Sequence, residues 1–288
     1  MHTRTDLAIE AAADAALSGA EDATQSEDTY GTMRVTRLHV RTQRAARRLG
    51  KPCGRYITAQ FPPLSDDETG LAAYAEQLGQ ELQALLPAEG TVLVVGLGNR
   101  TVTPDTLGPA TADMVLATRH IRGEFARAVG LDDLRPTAVL TPGVLGQTGT
   151  ESGEIVRGVC REVNPSAVIV VDALAARCME RLGCTVQLCD TGIAPGSGVG
   201  NDRRPLNAQL LGVPVIGVGV PTVVDVATLV AAYRPDVTLP DGEGTPMMVT
   251  PREIDLTVSR AARLLAMSIN RALQPAYSPR DLISVASR

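Results

Sequence analysis

The chain has 288 residues, a net charge of -5 at pH 7 and 44% hydrophobic residues, enough for one large core or two modest ones. No apolar run approaches the ~18 residues of a membrane span, and the N-terminus lacks the basic start and apolar stretch of a secretory signal. The only basic cluster is residues 41–50, so neither nucleic acid nor a membrane is expected as a partner.

Cysteine and histidine usage argues against two kinds of stabilising site. The five cysteines are odd in number and form no C-x-x-C pair, and only three histidines are present. A disulfide framework and a Cys/His zinc site are therefore disfavoured, no metal or other cofactor is expected, and a reducing cytoplasm is favoured. Lys51 is the only lysine among 27 basic residues, which we attribute to arginine codon bias rather than to chemistry.

The first part of the chain predicts a helix, a mobile segment, a strand and a second helix. Residues 1–33 are small, polar and acidic, which indicates a helical start followed by a mobile segment at about 20–33. Residues 35–40 alternate like a strand, and residues 66–87 have the apolar spacing of a helix.

Five short apolar strands follow, and helical stretches separate most of them. The strands are predicted at 91–95, 137–140, 167–171, 185–189 and 213–219, and the helices at 106–120, 151–163, 172–182 and 250–273. Apolar strands that alternate with helices indicate a sheet covered on both faces. The predicted fold class is α/β, a doubly wound, largely parallel sheet with helices on both faces. A surface loop is predicted at about 234–247.

Three aspartates follow predicted strands. In an open α/β sheet the ligand crevice lies at the carboxyl ends of the strands, and Asp105, Asp172 and Asp190 come at such ends. Asp105 and Asp172 could simply cap the helices that follow them. Two carboxylates that converge in a partly dry crevice cannot both ionise cheaply, so one stays protonated and the other acts as a base. Such a pair can activate water and protonate a leaving amine.

The loop after the first apolar strand begins like a phosphate-binding loop. Gly96 and Gly98 follow a β-branched run, but Thr101 replaces the third glycine of a dinucleotide fingerprint, and Thr103 and Asp105 come shortly after it. Glycines at several strand ends let the backbone approach a ligand closely. We interpret this loop as one that presents Asp105.

Long motifs of the chain resemble those of the germination protease family of spore-forming bacteria, in family order and over nearly the whole chain. They are "RTDLAIEA" (4–11), "LGKPCGRYIT" (49–58), "LVVGLGNRTVTPDTLGP" (93–109), "TPGVLGQTGTES" (141–152), "VDALAAR" (171–177), "DTGIAPGSGVGN" (190–201), "GVPVIGVGVPTVVDVATL" (212–229) and "MVTPREID" (248–255).

The resemblance implies an endopeptidase that starts the degradation of small acid-soluble spore proteins during germination, in the cytoplasm of the forespore and spore core. It also implies a fold similar to hydrogenase maturation proteases, a homotetramer and synthesis as a zymogen. The family's catalytic aspartates correspond to Asp105 and Asp172. The positions expected in the supporting loops are Gly96, Gly98, Asn99, Thr103, Asp190, Gly192, Gly196 and Gly198.

The chain departs from the family pattern at three places. Ala194 stands where the family tends to have histidine, which puts in doubt a histidine role near the site. Cys178 replaces the usual serine, and the segment at about 230–246 is shorter than in relatives.

The N-terminus resembles a substrate of the family, which is cut after an acidic residue and before an aliphatic one. Asp6 and Leu7 are followed by Ala8 and Glu10, so residues 1–6 are expected to be a propeptide and residues 7–288 a single peptidase domain. Asp6 could instead only cap a helix. We expect so short a propeptide to hold the Ala/Glu-rich segment rather than to plug the cleft.

Other classes of function remain open on the sequence. A metal-dependent maturation peptidase on the same fold would need a histidine ligand beside the carboxylates, and His120 is the only candidate. A nucleotide-binding protein without proteolytic activity would use the truncated glycine loop. A cysteine nucleophile is disfavoured, because Cys160, Cys178, Cys184 and Cys189 fall in apolar patterns.

Overall fold

A computed structural model describes residues 5–14, 21–66, 69–121, 123–128, 131–196, 204–234 and 247–276. Three of the predicted features lie wholly or mostly outside these ranges. They are residues 1–4 of the expected propeptide, Gly198, and most of the predicted loop at 234–247. Within them, no helix has the length and apolarity that a membrane crossing requires.

The described strands form one sheet. They are β1 (Ala23–Tyr30), β2 (Met33–Val40), β3 (Gly54–Gln60), β4 (Val92–Gly96), β5 (Thr137–Leu140), β6 (Ala167–Ala176), β7 (Thr185–Cys189), β8 (Val215–Asp225) and β9 (Met248–Val249). The strand order is β1-β2-β3-β7-β8-β6-β4-β5, and β9 pairs with β8. The α/β class is confirmed, because this sheet is covered by helices on both faces.

The sheet has two halves of different strand direction. In the parallel half, β4 pairs with β5 and β6, and β6 pairs with β8. In the antiparallel arm, β1, β2, β3 and β7 pair in succession, and β7 joins β8 antiparallel. The expectation of a largely parallel sheet therefore holds for the parallel half only. The direction of the β7 run could not be read from its apolar residues, because such a run is the same in either direction.

Helices cover both faces of the sheet. They are α1 (Ala8–Asp14), α2 (Gln43–Leu49), α3 (Leu71–Gln83), α4 (Leu107–Ala112), α5 (Gly123–Ala128), α6 (Leu145–Thr148), α7 (Ser152–Val163), α8 (Ala208–Leu211), α9 (Val226–Tyr233) and α10 (Ile254–Leu273). α3, α4 and α10 enclose the larger core with Val94 and Ile169. α7 packs on the opposite face, where Val156 and Cys160 meet neighbouring residues of the same strands. Successive strand residues point to opposite faces, which explains the two cores.

The helix predicted at 172–182 is wrong over its first half. β6 continues through Asp172 to Ala176, and only Met179–Arg181 form a single 3-10 turn. Pairing with β8 overrides the helical propensity of the alanines, since β8 runs beside β6 along this whole length. The helix predicted at 106–120 is also shorter, because α4 ends at Ala112.

The segment expected to be mobile at about 20–33 contains the first strand and the turn of a β-hairpin. β1 pairs with β2 from Ala23 to Tyr30, and Arg37 on β2 bonds Asp28 at 2.5 Å and also Glu81 on α3. Most of β1 is exposed, so its polar composition reflects an edge strand in water rather than a missing element.

Candidate active site

Asp105 is held by the loop that follows β4. It ends the 3-10 turn Thr103–Asp105, and its Oδ2 accepts a hydrogen bond of 2.8 Å from the backbone N–H of Asn99. The Asn99 side chain in turn accepts from Gln147 Nε2 at 2.8 Å. The loop therefore closes on itself around the carboxylate, and Asn99 links it to the neighbouring α6.

Two glycines make this closure possible. Gly98 has a φ of +126°, and a Cβ there would lie 1.9 Å from the backbone oxygen of Asp105. A Cβ on Gly96 would lie 2.2 Å from the backbone oxygen of Gly108. Both distances are impossible for a real side chain, so the backbone of residues 96–98 can pack this closely only because these residues are glycine.

Asp172 lies inside a strand. It is 5% exposed, and its Oδ1 accepts from the N–H of Ala173 at 3.0 Å, so it does not cap a helix. Asp172 pairs with Gly219 on β8, and Gly219 also pairs with Gln187 on β7. Paired residues of adjacent strands point to the same face. The side chains of Asp172 and Gln187 therefore flank a position without a side chain.

A cavity of about 350 Å³ brings Asp105 and Asp172 together, and Asp6 of the N-terminal segment lines it as well. Thr222 also lines it. Its Oγ1 is buried and has no hydrogen-bond partner among the described residues. The cavity is thus lined by three carboxylates and by the hydroxyls of Ser152 and Thr222.

A larger cavity of about 730 Å³ shares part of its lining with the smaller one. Asp172 and Asp6 line it too, together with Lys51 and Gln187. The loop after β7 forms part of its wall through Gly192, Ala194 and Gly196. Gly196 also lines the smaller cavity. Asp172 and Asp6 therefore line both cavities.

The N-terminal segment is hydrogen-bonded to β6. The Asp6 N–H donates to the Ala175 carbonyl at 2.9 Å, and the Ala175 N–H donates to Asp6 Oδ2 at 2.8 Å. The Asp6 carboxylate therefore binds β6, whereas Thr5 Oγ1 accepts from the N–H of Leu7 at 3.0 Å. Thr5 lines the larger cavity and Asp6 lines both, and Asp6 is bound where β6 extends beyond its pairing with β4. That the propeptide holds the following segment rather than plugs the cleft stays a prediction.

The residues after Asp6 are buried in separate places. Leu7 is fully buried against Leu174 and Val224, and Ala8 begins α1 against the antiparallel arm. Glu10 accepts from the Arg177 N–H at 2.9 Å and from Cys178 Sγ at 3.1 Å. Each residue of the Asp-Leu-Ala-x-Glu pattern therefore has its own contact surface.

Two polar residues that the sequence reasoning passed over hold the backbone of this segment. Lys51 Nζ donates to the Thr5 and Asp6 carbonyls, both at 3.1 Å. Gln187 Nε2 donates to the Asp6 carbonyl at 3.1 Å, and its Oε1 accepts from the N–H of Ala8 at 2.7 Å. The signal that could have identified Lys51 is its uniqueness within a family motif, and Gln187 stands out as an amide in an apolar strand.

The comparisons with known proteins decide the family. A family model described as germination protease matches residues 4–233.

The chain belongs to the germination protease family.

The germination protease of Clostridium perfringens is 36% identical over 95% of this chain and 96% of its own length. That of Caldanaerobacter subterraneus is 37% identical over 97% of this chain and 96% of its own length. That of Priestia megaterium is 39% identical over 78% of this chain and 64% of its own length. Among solved structures, a nickel–iron hydrogenase maturation protease, HycI, of Thermococcus kodakarensis is 17% identical. It aligns over 66% of this chain and 98% of its own, with a TM-score of 0.38. Membership makes the chain a spore germination protease and an endopeptidase.

Within this germination protease, Asp190 lies apart from the other two aspartates. It accepts from the Arg55 N–H at 2.7 Å and pairs with the Arg55 guanidinium at 2.8 Å, and it lines neither of the two cavities. The reason is strand direction: β7 is antiparallel to β8, so its carboxyl end points away from the corresponding ends of the parallel strands. Asp190 instead anchors the loop that carries Gly192 and Gly196.

The other candidate groups of the germination protease are poorly placed or poorly activated, although Cys189 lines the larger cavity. His120 is on an exposed turn and lines neither cavity. Burial raises the pKa of Cys160, Cys184 and Cys189, and burial together with Glu10 raises that of Cys178 to about 12. Thiols held protonated are poor nucleophiles. Over the described ranges, no group of three or more His, Cys, Asp or Glu is placed to hold a metal ion.

Proposed function

We propose that this germination protease is an aspartic-type endopeptidase that cuts small acid-soluble spore proteins in the spore core. We further propose that it is made as a zymogen and acts as a homotetramer. The observation that carries the proposal is the meeting of Asp105, Asp172 and the substrate-like Asp6 around one cavity. The family name supports a role in spore germination. The resemblance of residues 4–11 to a substrate supports synthesis as a zymogen.

The chemistry assigned to the pair follows from its environment. One carboxylate takes a proton from water, whose oxygen bonds to the carbonyl carbon of the peptide. The C–N bond then breaks, and the other carboxyl gives its proton to the leaving amine. Two carboxyl groups that share a partly buried cavity favour one protonated and one ionised member, which is the state that this reaction needs at its start.

The proposed cut in the zymogen is the bond between Asp6 and Leu7. Mass mapping of the N-terminus after activation is expected to give a Leu7 start for wild type and an uncut chain for Asp105→Asn. An uncut chain in a fully active wild-type sample would rule out the zymogen.

The dyad itself is tested with a synthetic peptide of residues 1–14. Asp105→Asn and Asp172→Asn are each expected to lower kcat by ~10³ or more, because each removes one proton-transfer group. Circular dichroism and melting temperature should stay near wild type. Full activity of Asp172→Asn would refute the assignment. Complete loss of wild-type activity in a chelator, restored by one divalent ion, would favour a metal-dependent peptidase instead.

A further inference from the structure

The carbonyl of Asp6 belongs to the bond proposed for cleavage, and two side chains donate to its oxygen. Lys51 Nζ and Gln187 Nε2 both lie 3.1 Å from it. The amide of Gln187 is oriented without ambiguity, because its oxygen accepts from the N–H of Ala8 at 2.7 Å. Gln187 therefore spans the bond between Asp6 and Leu7, with a donor on the carbonyl before it and an acceptor on the N–H after Leu7.

Both donors share a cavity with Asp172. Lys51 comes from the turn before β3 and Gln187 from β7, and the two line the larger cavity together with Asp172. Gly219 lies between Gln187 and Asp172 on the same rung of the sheet. The side chain of Leu174 packs over Gly219, 2.6 Å from where a Cβ would lie, and the Asp6 carbonyl is bound on the Gln187 side of the rung.

The partners of Lys51 are an unusual match for a half-buried ammonium group. Its two hydrogen bonds go to the neutral carbonyls of Thr5 and Asp6, and desolvation lowers the pKa of Lys51 although Asp6 and Glu10 oppose this effect. A neutral carbonyl compensates poorly for the lost hydration of an ammonium group. An oxygen that gains negative charge compensates for it well, because a charge-assisted hydrogen bond is about twice as strong as a neutral one.

We propose that Lys51 and Gln187 form the oxyanion site of this protease: they hold the carbonyl oxygen of the bond to be cut and stabilise its charge in the transition state. The inference rests on the proposed function and deepens it. When water adds to the carbonyl carbon, the electron pair of the C=O double bond moves to oxygen, where the two donors meet it. Asp105 and Asp172 then handle only the protons of the water and of the leaving amine.

Gln187→Glu separates this role from simple docking of the segment. A glutamate retains an acceptor for the N–H of Ala8 and nearly the same shape, but it offers no donor to the carbonyl when ionised. Removal of one oxyanion donor typically costs ~10²–10³ in kcat. We expect a loss of that size in kcat on the 1–14 peptide, little change in KM, and an equally slower self-cleavage of the full-length chain.

Lys51→Met is expected to lose kcat to a similar extent, and Lys51→Arg to recover at least tenfold over Lys51→Met, because the guanidinium remains a cationic donor. Arg34→Met, on the exposed hairpin, serves as the control and should match wild type. A purely structural role would instead lower the melting temperature or raise KM and leave kcat unchanged.

The outcomes distinguish this inference from the function on which it rests. If Asp105→Asn is inactive while Gln187→Glu keeps kcat within threefold of wild type, the oxyanion assignment is wrong and the dyad stands. If wild type cuts the peptide but not its own chain, the zymogen fails, and kcat on the peptide still decides the oxyanion site. If wild type cuts neither, both proposals are overturned.

Discussion

The parallel half of the sheet and its antiparallel arm contribute different chemistry to one cleft. The parallel half supplies the carboxylates, with Asp105 after β4 and Asp172 within β6. The antiparallel arm supplies the hydrogen-bond donors, Lys51 before β3 and Gln187 on β7. The N-terminal segment crosses between the halves, so a single peptide meets proton-transfer groups on one side and carbonyl-binding groups on the other.

The carboxylates and the hydrogen-bond donors are also divided between the two cavities that Asp6 lines. An ammonium group beside the carboxylate pair would hold both carboxylates ionised, since a nearby positive charge lowers their pKa. Donors placed on the far side of the peptide can bind the carbonyl without contacting Asp105, which lines only the smaller cavity. Lys51 shares the larger cavity with Asp172, whereas Asp105 lines only the smaller one, so the ammonium group shares a cavity with one member of the pair and not with both.

Among substitutions outside the proposed catalytic and oxyanion groups, the largest effect is expected in the parallel half, from Gly98→Ala. A Cβ at this position would overlap the backbone oxygen of Asp105, 1.9 Å away, so the loop must move by about 1 Å or more. A displacement of that size costs ~10² in kcat, measured on the 1–14 peptide. Gly31→Ala is the matched control, because its φ is also positive at +61° but nothing lies within 4 Å of its Cβ. Equal activity of the two variants would show that the loop does not position Asp105.

An intermediate effect is expected where the N-terminal segment meets the end of β6. Burial and Glu10 raise the pKa of Cys178 to about 12, and only the thiolate reacts with iodoacetamide. Glu10→Gln removes the negative charge and should lower this pKa, so that at pH 8 the thiolate fraction rises by about tenfold per unit of lowered pKa. Alkylation of Cys178 is followed by mass spectrometry with Cys53 as the internal reference. An unchanged rate relative to Cys53 would mean that Glu10 does not control this thiol.

The smallest effect is expected from Asp190→Asn in the antiparallel arm. Asp190 pairs with Arg55, which is about half exposed, and lies outside both cavities. Exposed ion pairs contribute ~0–1 kcal/mol, so kcat should stay within about threefold and the melting temperature should fall by only a few degrees. A loss of kcat as large as that of Asp105→Asn would show that Asp190 is catalytic and that the carboxylates are not confined to the parallel half.

The parallel half could be predicted in detail from the sequence. Its apolar runs match β4, β5 and β6 closely, and reasoning from the strand ends selected Asp105 and Asp172. It misplaced Asp172 in one respect, because the residues after it look helical and the strand in fact continues for four more. That continuation depends on β8 alongside it, and no local pattern records a partner more than forty residues away.

The antiparallel arm was harder to read for the same physical reason. The polar run of β1 is typical of a loop, and only its ladder with β2 makes it a strand. No sequence motif predicts that Lys51 and Gln187 bind one carbonyl together. Their relation appears only when β3, β7 and the N-terminal segment are side by side, which involves contacts as far apart in the chain as Asp6 and Gln187.

Strand pairing places Asp172, Gly219 and Gln187 side by side on three adjacent strands, and this pairing fixes the distance between Asp172 and Gln187. Adjacent strands are ~4.8 Å apart, so the backbones of Asp172 and Gln187 are held about 10 Å from each other. Hydrogen bonds of the sheet set this width, and side-chain substitutions in the cores can change it little. Asp105 is carried by a loop and can adjust its position. Substitutions in the loop can therefore change where Asp105 lies relative to the peptide without changing the distance between the backbones of Asp172 and Gln187.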